Sequence, residues 1–318
     1  MNLKNTLIAF FLIIGATVIA LLAVYWILEA MGINVERQLW LTRNQLFGPE
    51  KVGIWQTDPL FGWSHKPNST GLHRKPSDFD VYYHIDPFGH RITSAGYHLP
   101  KILLLGGSFT FGHGVKDDEA YPARLQQHWP DYKIINASVN GWGSTQALLK
   151  LEQQLEQHSD IRLVIYAFMT HHLQRNYLRK SWLKQMMKNR QRHNPYFKLE
   201  QGKLVFQGLA DYEQDGLPAG IELDRMEFIM TLKLLEKIKQ LCQAHSIPIL
   251  FIYLPDGSQN NLQVHFVKIF DQAVDLRTIV NYSQNRFVYD YHLTATGHRL
   301  IAEALQAILK KKRLIPHE

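Results

Sequence analysis

The fold class predicted by the sequence is α/β, with a parallel sheet of about five strands covered by helices on both faces. Two observations predict it. Short apolar runs recur between residues 101 and 289, and amphipathic helical stretches alternate with them. That alternation is the pattern of a sheet buried on both sides. A third observation concerns what comes before: a long uncharged stretch and a Gly/Pro-rich segment precede the first run. The expected organisation is an anchor over residues 1–29, a linker and β-rich preface over 30–98, and the main domain over 99–318.

Thr6–Leu28 contains no charged side chain. Roughly 20 apolar residues cross a bilayer core, so residues 6–28 suffice. A cleaved signal's apolar core runs about 7–15 residues, shorter than this. Tyr25 and Trp26 stand near the end of the stretch, where aromatic rings favour the interface. The expected topology is single-pass, with the N-terminus cytoplasmic and the rest in the periplasm or outside the cell. Lys4 before the span and Glu29, Glu36, Arg37 and Arg43 after it give only a slight charge asymmetry.

Residues 30–52 read as a juxtamembrane helix and linker. Phe79–Ile85 alternates in strand fashion between turn signals at Pro76–Ser77 and Pro87–Gly89, which predicts a β-hairpin. Five strands are then expected at Lys101–Leu105, Lys133–Ile135, Arg162–Phe168, Ile247–Leu254 and Phe287–Tyr289. Helices are expected at Ser144–His158, Asp224–His245 and Gly297–Lys312, each with apolar residues at helical spacing. Residues 177–222 interrupt this rhythm as an insertion or lid, basic over 179–192 and hairpin-like afterwards.

Composition narrows the function classes. Lys plus Arg number 35 and Asp plus Glu 28, a net charge of +7. No zinc-finger spacing, RNA-binding signature or basic heptad region accompanies it, so nucleic acid is not an expected partner. The single cysteine, Cys242, excludes an intramolecular disulfide framework and any CxxC site.

Ligands of parallel α/β sheets bind beyond the carboxyl ends of the strands. Four segments are expected to meet there. Ser108 follows Gly106–Gly107; Asn140 and Gly141 follow the second strand; His171 and His172 follow the third; Asp290 and His292 precede the last helix. A serine on a sharp turn at a helix start suits nucleophilic attack, and backbone N–H groups there suit a developing oxyanion. An imidazole oriented by a carboxylate two residues away suits a general base. Glycine-rich turns capped by serine look similar, and the phosphate-loop ending and the GxSxG elbow are both missing.

The blocks GGSFTFGHGV (106–115), NASVNGWGSTQ (136–146) and DYHLTATGH (290–298) resemble the SGNH, or GDSL-type, hydrolases. FGWSHKPN, FDVYYHIDPFGHR and AYPARL resemble segments surrounding those blocks in large envelope-associated bacterial members, so the resemblance extends over about residues 53–315. It implies a three-layer α/β/α flavodoxin-like fold and ester chemistry without metal or organic cofactor. It implies Ser108 as nucleophile, His292 as base and Asp290 as its carboxylate. The backbone N–H groups of Ser108 and Gly141 are implied as an oxyanion hole.

Two positions depart from the pattern. Gly107 stands where the family's Asp precedes the serine, and the third-block Asn is missing from YAFMTHHLQRN. His172 is the preferred substitute donor, from a similar His-x-x-Arg-Asn ending in one branch, and His171 is the alternative. Asn140 and Trp142 are candidate substrate contacts. Thr110 and His113 are read as packing or capping residues, His298 as structural, and Lys310–Arg313 as complementing a helix C-terminus. The expected activity is a membrane-anchored esterase acting on an acylated glycan, at its O-acetyl ester, or on a lipid ester. An O-acyltransferase using the same residues and a non-catalytic glycan-binding module are the alternatives.

Overall fold

The computed structural model describes residues 3–33, 35, 53–75, 77–187, 193–210, 221–257 and 273–314. Contacts divide the chain into two units: Met1–Lys51 with Arg74–Asp80, and Val52–His73 with Val81–Glu318. The first contains helix α1 (Leu3–Ala30). Its stretch Ala9–Ala30 has mean hydropathy 2.6, none of it buried, and is long and apolar enough to cross a membrane. Most of the linker expected over 30–52 lies outside the described residues.

The second unit begins with short antiparallel pairs. Strand β1 (Trp55–Asp58) pairs with β2 (Gly62–His65). Gly62 turns the chain with φ +78°, and a Cβ there would run into the His193 carbonyl oxygen. Strands β3 (Thr70–Lys75) and β4 (Phe79–His84), whose residues Arg74, Lys75, Phe79 and Asp80 belong to the first unit, form the expected hairpin sheet. In β4 buried and exposed residues alternate strictly, as the sequence pattern requires of a half-buried strand.

The main domain follows as β5 (Lys101–Leu105), α2 (Ser108–Phe111), α3 (Tyr121–His128), β6 (Lys133–Asn136), α4 (Ser144–Gln157) and β7 (Ile161–Phe168). Then come α5 (His172–Asn176), α6 (Lys180–Met187), an antiparallel pair β8 (Pro195–Glu200) and β9 (Lys203–Leu209), α7 (Ile221–Ala244), β10 (Ile249–Tyr253), β11 (Val274–Asp275) and α8 (Ala295–Lys312). The segment expected as an insertion therefore holds α6 and the β8–β9 hairpin and ends at the start of α7. Residues 188–192 of its basic stretch, and 211–220, lie outside the described residues.

The central sheet has the order β11-β10-β7-β5-β6, and its pairs are parallel. Counted along the chain from β5, this is the flavodoxin-like order 2-1-3-4-5. Alternate residues of β5 serve opposite faces. Ile102 and Leu104 pack with Tyr121 and Leu125 of α3 and with Ile301, Leu305 and Leu309 of α8. Leu103 and Leu105 pack with Leu148 and Leu151 of α4 and with Leu234, Ile238 and Cys242 of α7. The result is three layers, α/β/α.

One strand differs from the sequence reading. Phe287–Tyr289 forms no strand, and the fifth position belongs to β11. Arg286 and Leu293 make an isolated antiparallel bridge, and the Phe287 N–H donates to the His292 carbonyl (2.8 Å). This local closure uses backbone groups that a sheet strand would need.

Leu305 is fully buried between α8 and the sheet. Leu305→Ala is expected to lower unfolding free energy by about 2–5 kcal/mol, read from chemical denaturation.

Candidate active site

The chain leaves β5 outward to β6 and returns to β7 on the opposite side of β5. Loops after β5 and β7 therefore diverge and leave a crevice at the carboxyl edge. Ser108 lies at this point as the first residue of the one-turn helix α2, with only 7% of its surface exposed. Gly112 ends that helix in the left-handed region at φ +87°; a Cβ there would lie 2.6 Å from Ala120 Cβ and 2.7 Å from Arg91 Nη1. Arg91 supplies what the helix end lacks. Its guanidinium donates to the carbonyls of Phe111 (2.8 Å), Gly112 (2.5 Å) and Val115 (2.7 Å), and to Asp117 (2.8 Å).

His292 Nε2 lies 2.7 Å from Ser108 Oγ. Its Nδ1 is hydrogen-bonded to Asp290 Oδ1. An ionised carboxylate only accepts, so His292 carries its proton on Nδ1 and Nε2 accepts from the serine. The 286–293 closure holds both residues, with Tyr291 at φ +70° between them and Tyr282 donating to the Tyr291 carbonyl (2.6 Å). Thr294 then caps α8 by accepting from Gly297 N–H (3.4 Å). His298 is fully buried with Nδ1 accepting from Tyr121 N–H (3.3 Å), a structural use of the motif's last residue.

Asp290 has a further neighbour that the sequence reading assigned to packing or capping. His113 Nε2 lies 3.5 Å from Asp290 Oδ1, and its ring stacks on His292 at 4.1 Å between centroids. Burial alone would raise the Asp290 carboxyl. Hydrogen bonds from His113 and His292, with their charges, outweigh burial and hold it far below the ordinary carboxylate range. The available signal was Gly-His-Gly at 112–114: both glycines have positive φ, which turns His113 back toward the nucleophile's side.

His113, Asp290 and His292 place three ligand-type atoms within 4.8 Å of one another. Their arrangement is poor for a metal. The imidazoles lie face to face, 30° apart, so their in-plane lone pairs run side by side instead of converging on one ion.

Asn140 meets His113 rather than open space, with Nδ2 2.6 Å from His113 Nδ1. Its carbonyl accepts from Trp63 Nε1 (2.9 Å). Trp142 is 1% exposed and donates from Nε1 to the Trp63 carbonyl (3.0 Å). Its ring helps wall a cavity of about 230 Å³ with Phe61, Phe88 and Lys150, a cavity that Ser108, Asp290 and His292 do not line. Gly141 sits between them at φ +84°, where a Cβ would be 3.2 Å from the Trp63 ring.

The two histidines after β7 differ. His171 is the N-cap residue of α5, and its ring lies 6.3 Å from Phe109, which is itself 4.8 Å from the His292 ring. Burial lowers its imidazole to about 3, with Arg175 and His292 adding and Asp256 opposing. His172 is fully buried behind Gly107; a Cβ on Gly107 would lie 3.3 Å from His172 Nε2 and 3.1 Å from the Trp142 carbonyl. Its Nδ1 ends a buried chain of hydrogen bonds. Asn176 Oδ1 accepts from Ser144 N–H (2.8 Å), so Asn176 Nδ2 donates to Ser144 Oγ (3.0 Å). Ser144 Oγ in turn meets Tyr166 Oη (2.8 Å), which meets His172 Nδ1 (2.9 Å). His172 Nε2, at the far side of the ring, has no hydrogen-bond partner among the described residues. Burial, with Arg175 and His171, holds this ring neutral, well below its ordinary value.

No protein-family model and no curated protein matches the chain. Solved structures do. TesA is 15% identical, with 68% of this chain and 99% of that one covered, at TM-score 0.42. The psychrotrophic esterase EstA from Pseudoalteromonas sp. is 16% identical over 67% of this chain and 98% of that one, at 0.42. AlinE4, an SGNH-hydrolase family esterase, is 18% identical over 69% and 98%, at 0.36. Others carry the G-D-S-L family name. The chain is similar to SGNH and G-D-S-L hydrolases.

His171 and His172 are both neutral when folded and take up protons when unfolded near pH 6.5. The unfolded state binds more protons below that pH, so stability is complete above about 6.5 and falls as pH drops toward 3. The expected loss is of order a few kcal/mol. Denaturation measured from pH 7 to 4 checks it, and His172→Gln should flatten the slope.

Proposed function

We propose that this chain is a membrane-anchored serine esterase of the SGNH type. The observation that carries the reading is the ordered hydrogen-bond path from Ser108 Oγ through His292 to Asp290 at the carboxyl edge of the sheet. Ser108 Oγ attacks the ester carbonyl while its proton moves to His292 Nε2. Asp290 holds the imidazole and stabilises the imidazolium. The tetrahedral oxyanion is taken by backbone N–H groups of Ser108 and Gly141, with an imidazole of the 171–172 pair as a further donor. Collapse expels the alcohol, which takes the proton from His292 and leaves an acyl-serine. Water, deprotonated by His292, then attacks that ester and releases the acid with Ser108 restored.

The substrate is an O-acyl ester, read as O-acetyl on an envelope glycan. The resemblance to envelope-associated members and the apolar helix α1 support that reading. In it, residues 6–28 anchor the chain, the N-terminus is cytoplasmic, and the catalytic domain faces the periplasm or exterior. Asn140 and Trp142 act indirectly, through His113 and through packing behind the oxyanion loop.

A fluorophosphonate probe tests the reading on the full chain. Labelling should map to Ser108 and vanish in Ser108→Ala, and aryl-acetate hydrolysis should fall about 10⁴–10⁶-fold in Ser108→Ala or His292→Ala. Undiminished hydrolysis in Ser108→Ala would overturn it. The side-chain oxyanion donor is read from kcat: its replacement by Ala, among His171 and His172, should cost about 10²–10³-fold with little change in KM. Extraction of the full chain from membranes should need detergent and resist alkaline carbonate.

A further inference from the structure

A catalytic carboxylate that also accepts from a second imidazole has a feature the proposed acyl transfer does not itself require. Resting on the esterase reading, we infer that His113 is a positioning residue. It donates from Nε2 to Asp290 and is held in that tautomer by Asn140, so that Asp290 is shared between two stacked imidazoles.

The hydrogen-bond polarity argues this directly. Asp290 can only accept, so the His113 nitrogen 3.5 Å away must carry a proton. The opposite nitrogen of a neutral ring is then an acceptor, and Asn140 presents a group at 2.6 Å from it. Asn140 must therefore turn its amide nitrogen toward His113. The path runs one way, from Asn140 through His113 to Asp290, and meets the path from His292 at the same oxygen. Ring stacking at 4.1 Å fixes both imidazoles as neighbours. Among the described residues, other titratable groups near them are His73 of β3, whose ring meets His113 edge to face at 4.7 Å, and Tyr83, Tyr282, His171 and His298. Tyr83 stays protonated through burial.

The shared donation has a consequence at His292. A carboxylate that gives part of its hydrogen-bonding capacity to His113 stabilises the imidazolium less than one devoted to His292. His113 thus competes with His292 for the carboxylate, and it prevents Asp290 from rotating away during the proton transfer.

The test uses the full chain in detergent, with two readouts. Histidine ¹⁵N shifts report the tautomer, and the rate of fluorophosphonate labelling against pH reports the base. The expected results are an Nε2–H form of His113 at neutral pH and an acid limb about one pH unit higher in His113→Phe, which keeps the ring but not the donor. His113→Gln, which keeps a donor, should bring the limb back toward the parent's. Asn140→Asp, which replaces a donor with an acceptor, should add a proton at His113 Nδ1. An Nδ1–H tautomer in the parent, or the same acid limb in the parent, His113→Phe and His113→Gln, would overturn the inference. A parent chain with the Nε2–H tautomer but no labelling at Ser108 would count against the esterase reading and still support the Asn140–His113–Asp290 path.

Discussion

Asp290 is a carboxylate with 9% of its side chain exposed, and a charge so placed is stable only if donors surround it. Much of the site can be understood as the supply of those donors. His292 comes from the same loop, two residues on, because the Arg286–Leu293 bridge folds that loop back on itself. His113 comes from the turn after the nucleophile's helix. Asp290 is therefore tied to both sides of the crevice at once. A structure that loosened either side would leave a buried charge short of partners, at a cost that exceeds the worth of any one hydrogen bond.

The turn bearing His113 depends in its turn on the β-rich preface. A one-turn helix followed by glycines leaves several carbonyls without intrahelical donors. Arg91 answers three of them with one planar guanidinium, whose rings of contact include Tyr83 and Phe111 at 4.7 and 4.8 Å. Tyr83 of β4 also accepts from Gly114 N–H (2.8 Å). The hairpin strand and the FGHR segment thus hold the distance between Ser108 and His113, although neither contributes a reacting group. Trp63 plays the corresponding part on the other side, by receiving Trp142 and gripping the Asn140 carbonyl.

The strands of the central sheet were legible because burial on both faces leaves an uninterrupted apolar run, as in Lys101–Leu105 and Ile161–Phe168. The fifth strand was not. Val274–Asp275 is two residues long and half-buried, which no periodicity can register, whereas Phe287–Tyr289 has strand-like composition but spends its backbone on a local bridge. Ser108, His292 and Asp290 were legible as a set because each sits beside punctuating glycines or a helix start. His113 was only five residues from Ser108 and still escaped, because its importance lies in a contact with a residue far along the chain. For Asn140 and Trp142 the sequence marks a loop near the site, but where their side chains turn is decided by Trp63 and His113, from other segments.

Gly107 turns from an anomaly into a packing condition once α5 is in place. The space a side chain would take there is bounded by the Trp142 carbonyl at 3.1 Å, His172 Nε2 at 3.3 Å and Arg175 Nη1 at 3.4 Å. Arg175 Nη1 also donates to that same carbonyl (2.8 Å). The loops after β5, β6 and β7 are therefore drawn together around a missing side chain, and an Asp in this position would have to displace the contacts that join them. Gly107 and the His-His-x-x-Arg-Asn segment after β7 therefore form one packed unit. The buried hydrogen bonds from Asn176 through Ser144 and Tyr166 to His172 Nδ1 hold that ring in place behind the Ser108 turn.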